Sequence, residues 1–323
     1  MITPAVPRQA PASHAVQVRD LTRTFGAFVA VDHVTFDVAE GEIFGFLGPN
    51  GAGKTTTIKM LTGLLAPSSG EGWVTGLDIH TQSETVKTRI GYMSQLFSLY
   101  GDLTVEENIA FFGGLYGVAG ARFATRRDWV LEMAGLTDHR KQLTAELPLG
   151  WKQRLALGCA VLHEPPILFL DEPTSGVDPV SRRNFWELIY TLTDRGTTVF
   201  VSTHYMEEAE YCHRLALMNR GRIIALDRPA ALRTQLLEPI LELTASDPSA
   251  AARALQRQPG IVEAAMFGRA VHVVVDDVAA AERFIPGFLA SRGITGAQLQ
   301  PVRPSLEDVF VALVRREGGA VAG

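Results

Sequence analysis

The chain has 323 residues, 46% of them hydrophobic, and a formal net charge of −5 at pH 7. This length favours about two domains. The acidic balance and the lack of any Lys/Arg block exclude the electrostatic footprint of a nucleic-acid-binding protein, so we expect no nucleic acid partner. Cys159 and Cys212 are too few for a disulfide framework and lack metal-ligand spacing, which fits a reducing compartment.

The apolar segments are short. Runs such as Val199-Phe200-Val201 fall far below the roughly 18 residues that a membrane-spanning helix needs, so we expect a soluble chain. The Pro/Ala-rich start has no continuous apolar region, and no secretory signal is predicted. We expect residues 1–14 to form a mobile tail.

The first strands show two different hydrophobic patterns. Val34, Phe36 and Val38 alternate with polar residues, which is typical of a half-buried antiparallel strand. Residues 43–47 and 167–170 are continuous apolar runs, as expected of parallel strands covered on both faces. The core is therefore predicted to be α/β.

A glycine-rich loop follows the first of these apolar runs. It matches the pattern G-x-x-x-x-G-K-[ST], in which backbone N–H groups turn onto phosphates, the lysine reaches the β/γ oxygens and the hydroxyl ligates Mg²⁺. Glycine-rich turns before helices also occur for conformational reasons alone. The predicted phosphate-binding residues are Gly48, Pro49, Asn50, Gly51, Ala52, Gly53, Lys54, Thr55 and the adjoining Thr56.

A helical insertion is predicted at about residues 104–165. Residues 104–107 read Thr-Val-Glu-Glu, a capping box that begins a helix. Ile109, Phe112 and Tyr116 would lie on one face of that helix.

Two carboxylates, Asp171 and Glu172, follow the second apolar run. Asp171 can hold Mg²⁺ through a water molecule, and Glu172 can orient or deprotonate the attacking water in phosphoryl hydrolysis. Parallel strands place both motifs at the same edge of the sheet. The alternative is a strand-end pair that is merely solvated.

Gln95 and His204 also follow strand-like segments. Gln95 could ligate Mg²⁺ and sense the γ-phosphate, and the imidazole of His204 could hydrogen-bond the γ-phosphate. Taken singly, the glutamine would be an ordinary loop amide and the histidine a structural residue.

A second pattern begins beyond Pro239. Strands are predicted at 240–244, 261–266, 270–275 and 297–302, with helices at 248–257, 278–292 and 305–315. This β-α-β-β-α-β order predicts a small ferredoxin-like α+β domain. Pro286 weakens the case for a continuous second helix.

The glycine-rich loop, Gln95, the helical insertion, the carboxylate pair and His204 follow one another along the chain as in an ATP-binding-cassette (ABC) ATPase, which residues 15–235 resemble. The resemblance implies a P-loop NTPase core with an antiparallel β subdomain and a helical insertion, and it implies bound ATP and Mg²⁺. It also implies that Phe25 stacks on adenine; the alternative is that Phe25 is a buried core residue. Finally, it implies that residues 175–178, ending at Asp178, form a loop through which two such domains communicate. Residues 236–316 resemble the C-terminal domain of drug-exporter ATPases of the daunorubicin-resistance type, followed by a tail at 317–323.

One segment departs from the family pattern. Where the family usually has Leu-Ser-Gly-Gly-Gln, this chain has Leu147-Pro148-Leu149-Gly150-Trp151. In the family this segment caps the γ-phosphate held by the opposite subunit, so the departure would weaken the partner's site. Alternatively, Pro148 begins a helix at position N1 and Gly150 still presents its N–H to phosphate.

The resemblance predicts the ATP-hydrolysing subunit of a membrane exporter. It would pair with a second ABC ATPase subunit, as a homodimer or heterodimer, and drive a separate ABC-2-type integral membrane permease. The chain would be cytoplasmic and bound to the inner face of the cell membrane through that permease, which would dock near residues 96–100.

The sequence leaves two rival functions open. The first is a soluble ABC ATPase of DNA repair or translation, which long coiled coils, zinc cysteines or basic patches would mark. The second is a nucleotide-binding module that does not hydrolyse ATP, suggested by Pro148 and Leu149.

Overall fold

The computed structural model describes residues 14–95, 99–235 and 238–316. The chain divides into two compact units, Met1–Arg228 and Pro229–Gly323. The predicted tails, 1–14 and 317–323, lie outside the described residues except for His14. His14 begins the first strand and pairs with Ala39, so it does not belong to a tail.

The first unit alternates strands and helices. Its strands are β1 (His14–Phe25), β2 (Phe28–Ala39), β3 (Ile43–Leu47), β4 (Ser69–Val74), β5 (Leu77–Asp78), β6 (Ile90–Met93), β7 (Ile167–Asp171), β8 (Thr198–Thr203), β9 (Arg214–Asn219) and β10 (Arg222–Asp227). Its helices are α1 (Lys54–Leu61), α2 (Ser83–Arg89), α3 (Val105–Leu115), α4 (Gly120–Ala134), α5 (Leu149–Ala160), α6 (Pro179–Asp194) and α7 (Met206–Ala209).

The central sheet has the strand order β10-β9-β3-β8-β7-β6. Its pairs are parallel except β9 with β10, which are antiparallel. Every residue of β3 and β7 is buried, which confirms the prediction of strands covered on both faces. The carboxyl ends of β3, β7 and β8 therefore meet at one edge of the sheet.

A second sheet, of order β2-β1-β4-β5, is antiparallel. Val34, Phe36 and Val38 of β2 are buried as their alternation predicts. Phe36 stacks on Phe44 of the central sheet, with ring centroids 5.5 Å apart. The two sheets thus share one hydrophobic core.

The helical insertion consists of α3, α4 and α5. The capping box of α3 is present, because Thr104 accepts from the Glu107 N–H while the Glu107 side chain accepts from the Thr104 N–H. Tyr116 follows the helix as its C-cap residue. The central sheet, the antiparallel sheet and this insertion confirm the predicted α/β core with an antiparallel β subdomain and a helical insertion.

The second unit has the predicted β-α-β-β-α-β order. Its elements are α8 (Pro229–Arg233), β11 (Ile240–Thr244), α9 (Pro248–Leu255), β12 (Ile261–Phe267), β13 (Ala270–Val275), α10 (Val278–Ala290), β14 (Gln298–Val302) and α11 (Leu306–Arg316). The strands pair antiparallel in the order β12-β13-β11-β14. Helix α10 continues through Pro286. Helix α8 belongs to this unit and packs against α11, so the predicted domain boundary after residue 235 is replaced by one after Arg228.

Candidate nucleotide-binding and hydrolysis site

The glycine-rich loop connects β3 to α1 at the common edge of the central sheet. Gly51 and Gly53 have φ angles of 80° and 108°, a region that favours glycine. A Cβ atom on Gly48 would lie 2.3 Å from the Met218 carbonyl oxygen, so this glycine is also required by close packing. The loop leads directly into the N-terminus of α1, where free N–H groups favour phosphate.

Lys54 lies inside this loop and is 4% exposed. Its Nζ donates to the carbonyl oxygens of Gly48 at 2.7 Å and Pro49 at 3.2 Å. The same ammonium lies 3.2 Å from Glu172 Oε1. The loop and the predicted catalytic carboxylate are therefore in direct contact.

Asp171 lies at the end of β7 and is buried. Its Oδ1 accepts hydrogen bonds from Thr55 Oγ1 at 3.1 Å and Ser202 Oγ at 2.6 Å. Burial raises the pKa of Asp171, although the hydrogen bonds from Ser202 and Thr55 oppose this shift. A bound cation would favour the ionised carboxylate.

Glu172 has a φ angle of 49°, an unusual conformation for a residue with a side chain. Its backbone N–H donates to the carbonyl and hydroxyl oxygens of Ser202, each at 3.1 Å. Its Oε2 lies 3.1 Å from His204 Nδ1 and accepts from Gln95 Nε2 at 3.2 Å. The carboxylate is thus oriented by Lys54, His204 and Gln95.

A cleft of about 290 Å³ opens over these groups. It is lined by Phe28, Ala30, Asn50, Gly51, Ala52, Gly53, Lys54, Thr55, Thr56, Gln95 and Glu172. The structure therefore brings most of the loop residues together with Gln95 and Glu172. Gly150 and Asp178 do not belong to this lining.

Two phenylalanines lie beside each other near the cleft. Phe25 is 48% exposed, which excludes the alternative of a buried core residue, and the Arg23 guanidinium lies 4.5 Å from its ring centroid. Phe28 pairs directly with Phe25 across the hairpin and is 63% exposed. Sequence reasoning missed Phe28, although the two-residue turn between the strands places opposite residues on one face.

The atypical segment begins α5, but not as predicted. Pro148 is the N-cap residue, with φ −55° and ψ 151°, so the alternative that it occupies N1 is wrong: its backbone is extended and Leu149 is the first helical residue. A Cβ on Gly150 would lie 2.8 Å from Ser181 Oγ, so α5 packs closely on α6 there. Leu149 is 37% exposed and lies beside Gly176.

Asp178 is the N-cap of α6. Its Oδ1 accepts from the N–H groups of Ser181 at 3.0 Å and Val180 at 3.1 Å, and the bond from Ser181 above all lowers the pKa of Asp178. Its contact with nucleotide across a dimer stays a prediction. Its contacts within this chain explain the conformation of the loop at 175–178.

The donor set suits Mg²⁺. Thr55 Oγ1 and Asp171 Oδ1 are hydrogen-bonded to each other, and Gln95 contributes an amide on the same cleft. Hydroxyl, carboxylate and amide oxygens are the hard ligands that this cation prefers. Ser202, which sequence reasoning missed, positions both carboxylates from the neighbouring strand.

In the described ranges, no helix is both long and apolar enough to cross a membrane.

The sequence profile of the ABC transporter family matches residues 31–175. The chain is 52% identical over 225 residues to the Probable multidrug ABC transporter ATP-binding protein YbhF of Escherichia coli (strain K12), covering 70% of this chain but only 39% of that protein. It is 36% identical to the Nod factor export ATP-binding protein I of Paraburkholderia xenovorans (strain LB400), covering 94% and 98% of the two chains. It is 34% identical to the Linearmycin resistance ATP-binding protein LnrL of Bacillus subtilis (strain 168), covering 93% and 98%.

Solved structures show the same likeness. An ATP-binding subunit of an ABC transporter is 32% identical, with a TM-score of 0.63 and coverage of 68% of this chain and 92% of that chain. The dimeric post-hydrolysis state of the cassette MJ0796 bound to ADP and Pi is 25% identical, with a TM-score of 0.60 and coverage of 66% and 98%. The part of this chain that each alignment covers is about as long as the first unit, Met1–Arg228.

Proposed function

Because this chain belongs to the ATP-binding proteins of the ABC transporter family, we propose that it binds ATP with Mg²⁺ and hydrolyses it to drive a membrane exporter. The observation that carries the proposal is the position of Glu172. Its carboxylate lies on the cleft of the glycine-rich loop, in contact with Lys54, Gln95 and His204.

Nucleotide binding rests on the loop and the adjacent hairpin. The N–H groups at the start of α1 and the ammonium of Lys54, which lines the cleft, would neutralise the phosphates. Phe25 supplies an exposed aromatic face for adenine. Phe28 covers the neighbouring part of the cleft.

Thr55, Asp171 and Gln95 would hold Mg²⁺ on the phosphates. When bound, this ion neutralises charge on the β- and γ-phosphate oxygens. The Ser202 hydroxyl keeps Asp171 oriented toward Thr55. Gln95 reaches the same cleft from the end of β6.

Hydrolysis requires a base beside the γ-phosphate. Glu172 accepts the proton of the attacking water, and its Oε2 is held by His204 Nδ1 and Gln95 Nε2. His204 then serves as an orienting group and as a partner for the γ-phosphate. The left-handed conformation of Glu172 fits the strain often stored at catalytic residues.

The second ATPase subunit approaches the start of α5 and the loop before α6. The N–H groups of Leu149 and Gly150 are the first two of a helix and have no acceptor within it, so they can face a phosphate of the partner. Asp178 lies beside them through the packing of Gly150 on Ser181. A homodimer and a heterodimer both fit this arrangement.

A groove of about 430 Å³ suits the permease. Leu64 and Leu115, at 53% and 65% exposed, line it together with Tyr92 and Tyr116. The two tyrosines also line a smaller pocket together with Leu99, which belongs to the predicted docking stretch 96–100. Residues 96–98 of that stretch lie outside the described residues. Exposed apolar surface of this kind is typical of a binding face.

The relatives indicate the direction of transport. Their names include multidrug transport, Nod factor export and linearmycin resistance, so we assign export of small molecules through an ABC-2-type permease. The chain would lie in the cytoplasm, bound to the inner face of the membrane by that permease. The first unit would form the ATPase domain and the second, from Pro229 onward, an accessory domain of the daunorubicin-resistance type.

The test is Glu172→Gln, which preserves shape but removes the base. We expect ATP binding to persist while turnover by the purified protein falls by about a hundredfold or more. Glu187→Gln makes the same chemical change on the exposed side of α6 and should keep wild-type turnover. Wild-type turnover in Glu172→Gln would refute the proposal.

A further inference from the structure

Glu208 is a fully buried carboxylate in α7, outside the residues that line the nucleotide cleft. Its Oε1 accepts a hydrogen bond from Thr174 Oγ1, and its Oε2 accepts one from Thr203 Oγ1 at 2.7 Å. Arg182 Nε lies 3.4 Å from Oε1. A polar group this deeply buried needs such partners, so the three contacts constrain one another.

The two threonines flank the predicted catalytic pair. Thr174 follows Glu172 by two residues, and Thr203 immediately precedes His204. Thr203 Oγ1 also accepts from the Tyr205 N–H at 3.0 Å, so its hydroxyl fixes the backbone on both sides of His204. Glu208 therefore joins the two chain segments that carry the base and its orienting imidazole.

The segment after Glu172 is a tight turn. The Ser175 N–H donates to the Glu172 carbonyl at 3.2 Å, and the Val177 N–H donates to the Thr174 carbonyl at 3.1 Å. A left-handed conformation such as that of Glu172 persists only where its surroundings impose it. The bond from Thr174 to Glu208 attaches this turn to α7.

Arg182 extends the connection to α6. Its Nη2 donates to the Val177 carbonyl at 3.3 Å, and its guanidinium lies 4.0 Å from the ring centroid of Tyr205. The Tyr205 and His204 rings are 4.1 Å apart. Glu208 and Arg182 thus contact both the loop at 174–178 and the residues around His204.

We propose that Glu208 is a positioning residue for ATP hydrolysis, which fixes the 3.1 Å contact between Glu172 and His204 through Thr174 and Thr203. The inference rests on the proposed function, because it assigns to Glu172 the activation of water. Glu208 itself does not touch the nucleotide. Misplacement of the base by a fraction of an ångström would lower turnover without loosening ATP.

The experiment replaces the threonines, because removing Glu208 itself would leave two buried hydroxyls without their acceptor and Arg182 without its ion-pair partner. Thr174→Val and Thr203→Val are nearly isosteric and delete one hydrogen bond each to Glu208. Thr203→Val also removes the acceptor of the Tyr205 N–H, so Thr174→Val is the more specific variant. Thr174→Ser and Thr203→Ser keep the hydroxyls. Thr198→Val, at the other end of β8, removes a buried hydroxyl that accepts from the Gly41 N–H and serves as the matched control.

We expect each Val variant to lower kcat for ATP about tenfold, with KM unchanged, while the Ser variants and Thr198→Val keep wild-type kcat. Because both threonines act through one carboxylate, the double Val variant should lose less than the product of the single losses. Equal loss in Thr198→Val, or a change confined to KM, would show a merely structural role and overturn the inference.

The Glu172→Gln variant measured alongside separates the two claims. If Glu172→Gln loses turnover but the Val variants do not, the positioning role is wrong and the proposed function stands. If Glu172→Gln turns over ATP like the wild type, the assignment of the base fails and this inference fails with it.

Discussion

The hydroxyl of Ser202 donates a 2.6 Å hydrogen bond to Asp171 Oδ1 and accepts one of 3.1 Å from the Glu172 N–H. One side chain of β8 thereby positions the proposed metal ligand and the proposed base, which follow each other at the end of β7. Asp171 and Ser202 are register partners in the parallel pair. The geometry of the site depends on this strand alignment.

Ser202→Ala should therefore lower the affinity of the site for Mg²⁺ and raise the Mg²⁺ concentration needed for half-maximal ATPase activity. Without the hydroxyl, Asp171 loses its shortest hydrogen bond, and loss of such an outer partner lowers metal affinity by about 10–100-fold. The measurement is ATPase activity as Mg²⁺ is titrated at saturating ATP. Thr198→Ala, in the same strand, is the control, and an unchanged half-saturating Mg²⁺ concentration in Ser202→Ala would contradict the assignment of Asp171.

The sequence predicts what is local and misses what depends on register. The loop at 48–55, the capping box at Thr104 and most strands of the second unit are visible because spacing and turn chemistry act within a few residues. The roles of Ser202 and Glu208 are not visible, since Ser202 meets Asp171, 31 residues earlier, and Glu208 meets Thr174, 34 residues earlier, only when β7 and β8 pair. Pro148 fits both N-cap and N1, and only the backbone conformation distinguishes the two.

Lys54→Met should weaken ATP binding. The variant keeps the apolar stem but deletes the ammonium, and a hydrogen bond to a charged group contributes about 1.5–3 kcal/mol, or roughly 10–100-fold in Kd. Lys59→Met changes an exposed lysine of the same helix and should bind ATP like the wild type. Calorimetric titration with ATP provides the measurement, and equal affinities in the two variants would remove Lys54 from the phosphate site.

Phe25→Ala should weaken binding of the base but not of the phosphates. Stacking of a base on an aromatic ring contributes about 1–3 kcal/mol, so the Kd for ATP should rise roughly tenfold while that for inorganic triphosphate stays constant. Phe284→Ala removes an exposed ring of the second unit and is the control. If Phe28→Ala shows the loss instead, adenine stacks on Phe28 and the sequence-based assignment of Phe25 is wrong.

A fragment of residues 1–228 should fold and bind ATP with the affinity of the full chain. The first unit has its own core around Phe44, Phe46 and Phe200, and it ends at Arg228. A fragment of residues 1–239 would keep α8 without its partner α11 and expose Leu232, which is fully buried in the intact chain. We expect the shorter fragment to be more soluble and to unfold cooperatively in a thermal melt; aggregation of 1–228 would show that the units depend on one another.

The last prediction concerns the start of α5, where Pro148 supplies neither an N–H nor a hydroxyl and Leu149 adds an exposed side chain. Pro148→Ser with Leu149→Gly restores the usual family residues, and a donor aimed at developing charge contributes on the order of 10²-fold in rate. ATPase activity of the double variant should therefore rise. In a homodimer both sites gain, whereas in a heterodimer only the site built on the partner's phosphate loop does.

Stability of the helix must be separated from this effect, because serine is also a better N-cap than proline by about 1 kcal/mol. Pro148→Asp caps α5 equally well but places a carboxylate toward the phosphate, so it should raise the Tm without raising turnover. Turnover of both variants is measured for the chain alone and in its permease complex. A gain in Pro148→Asp would trace the effect to helix stability, and no gain in either variant would mean that the N–H groups of Leu149 and Gly150 already suffice for the partner's γ-phosphate.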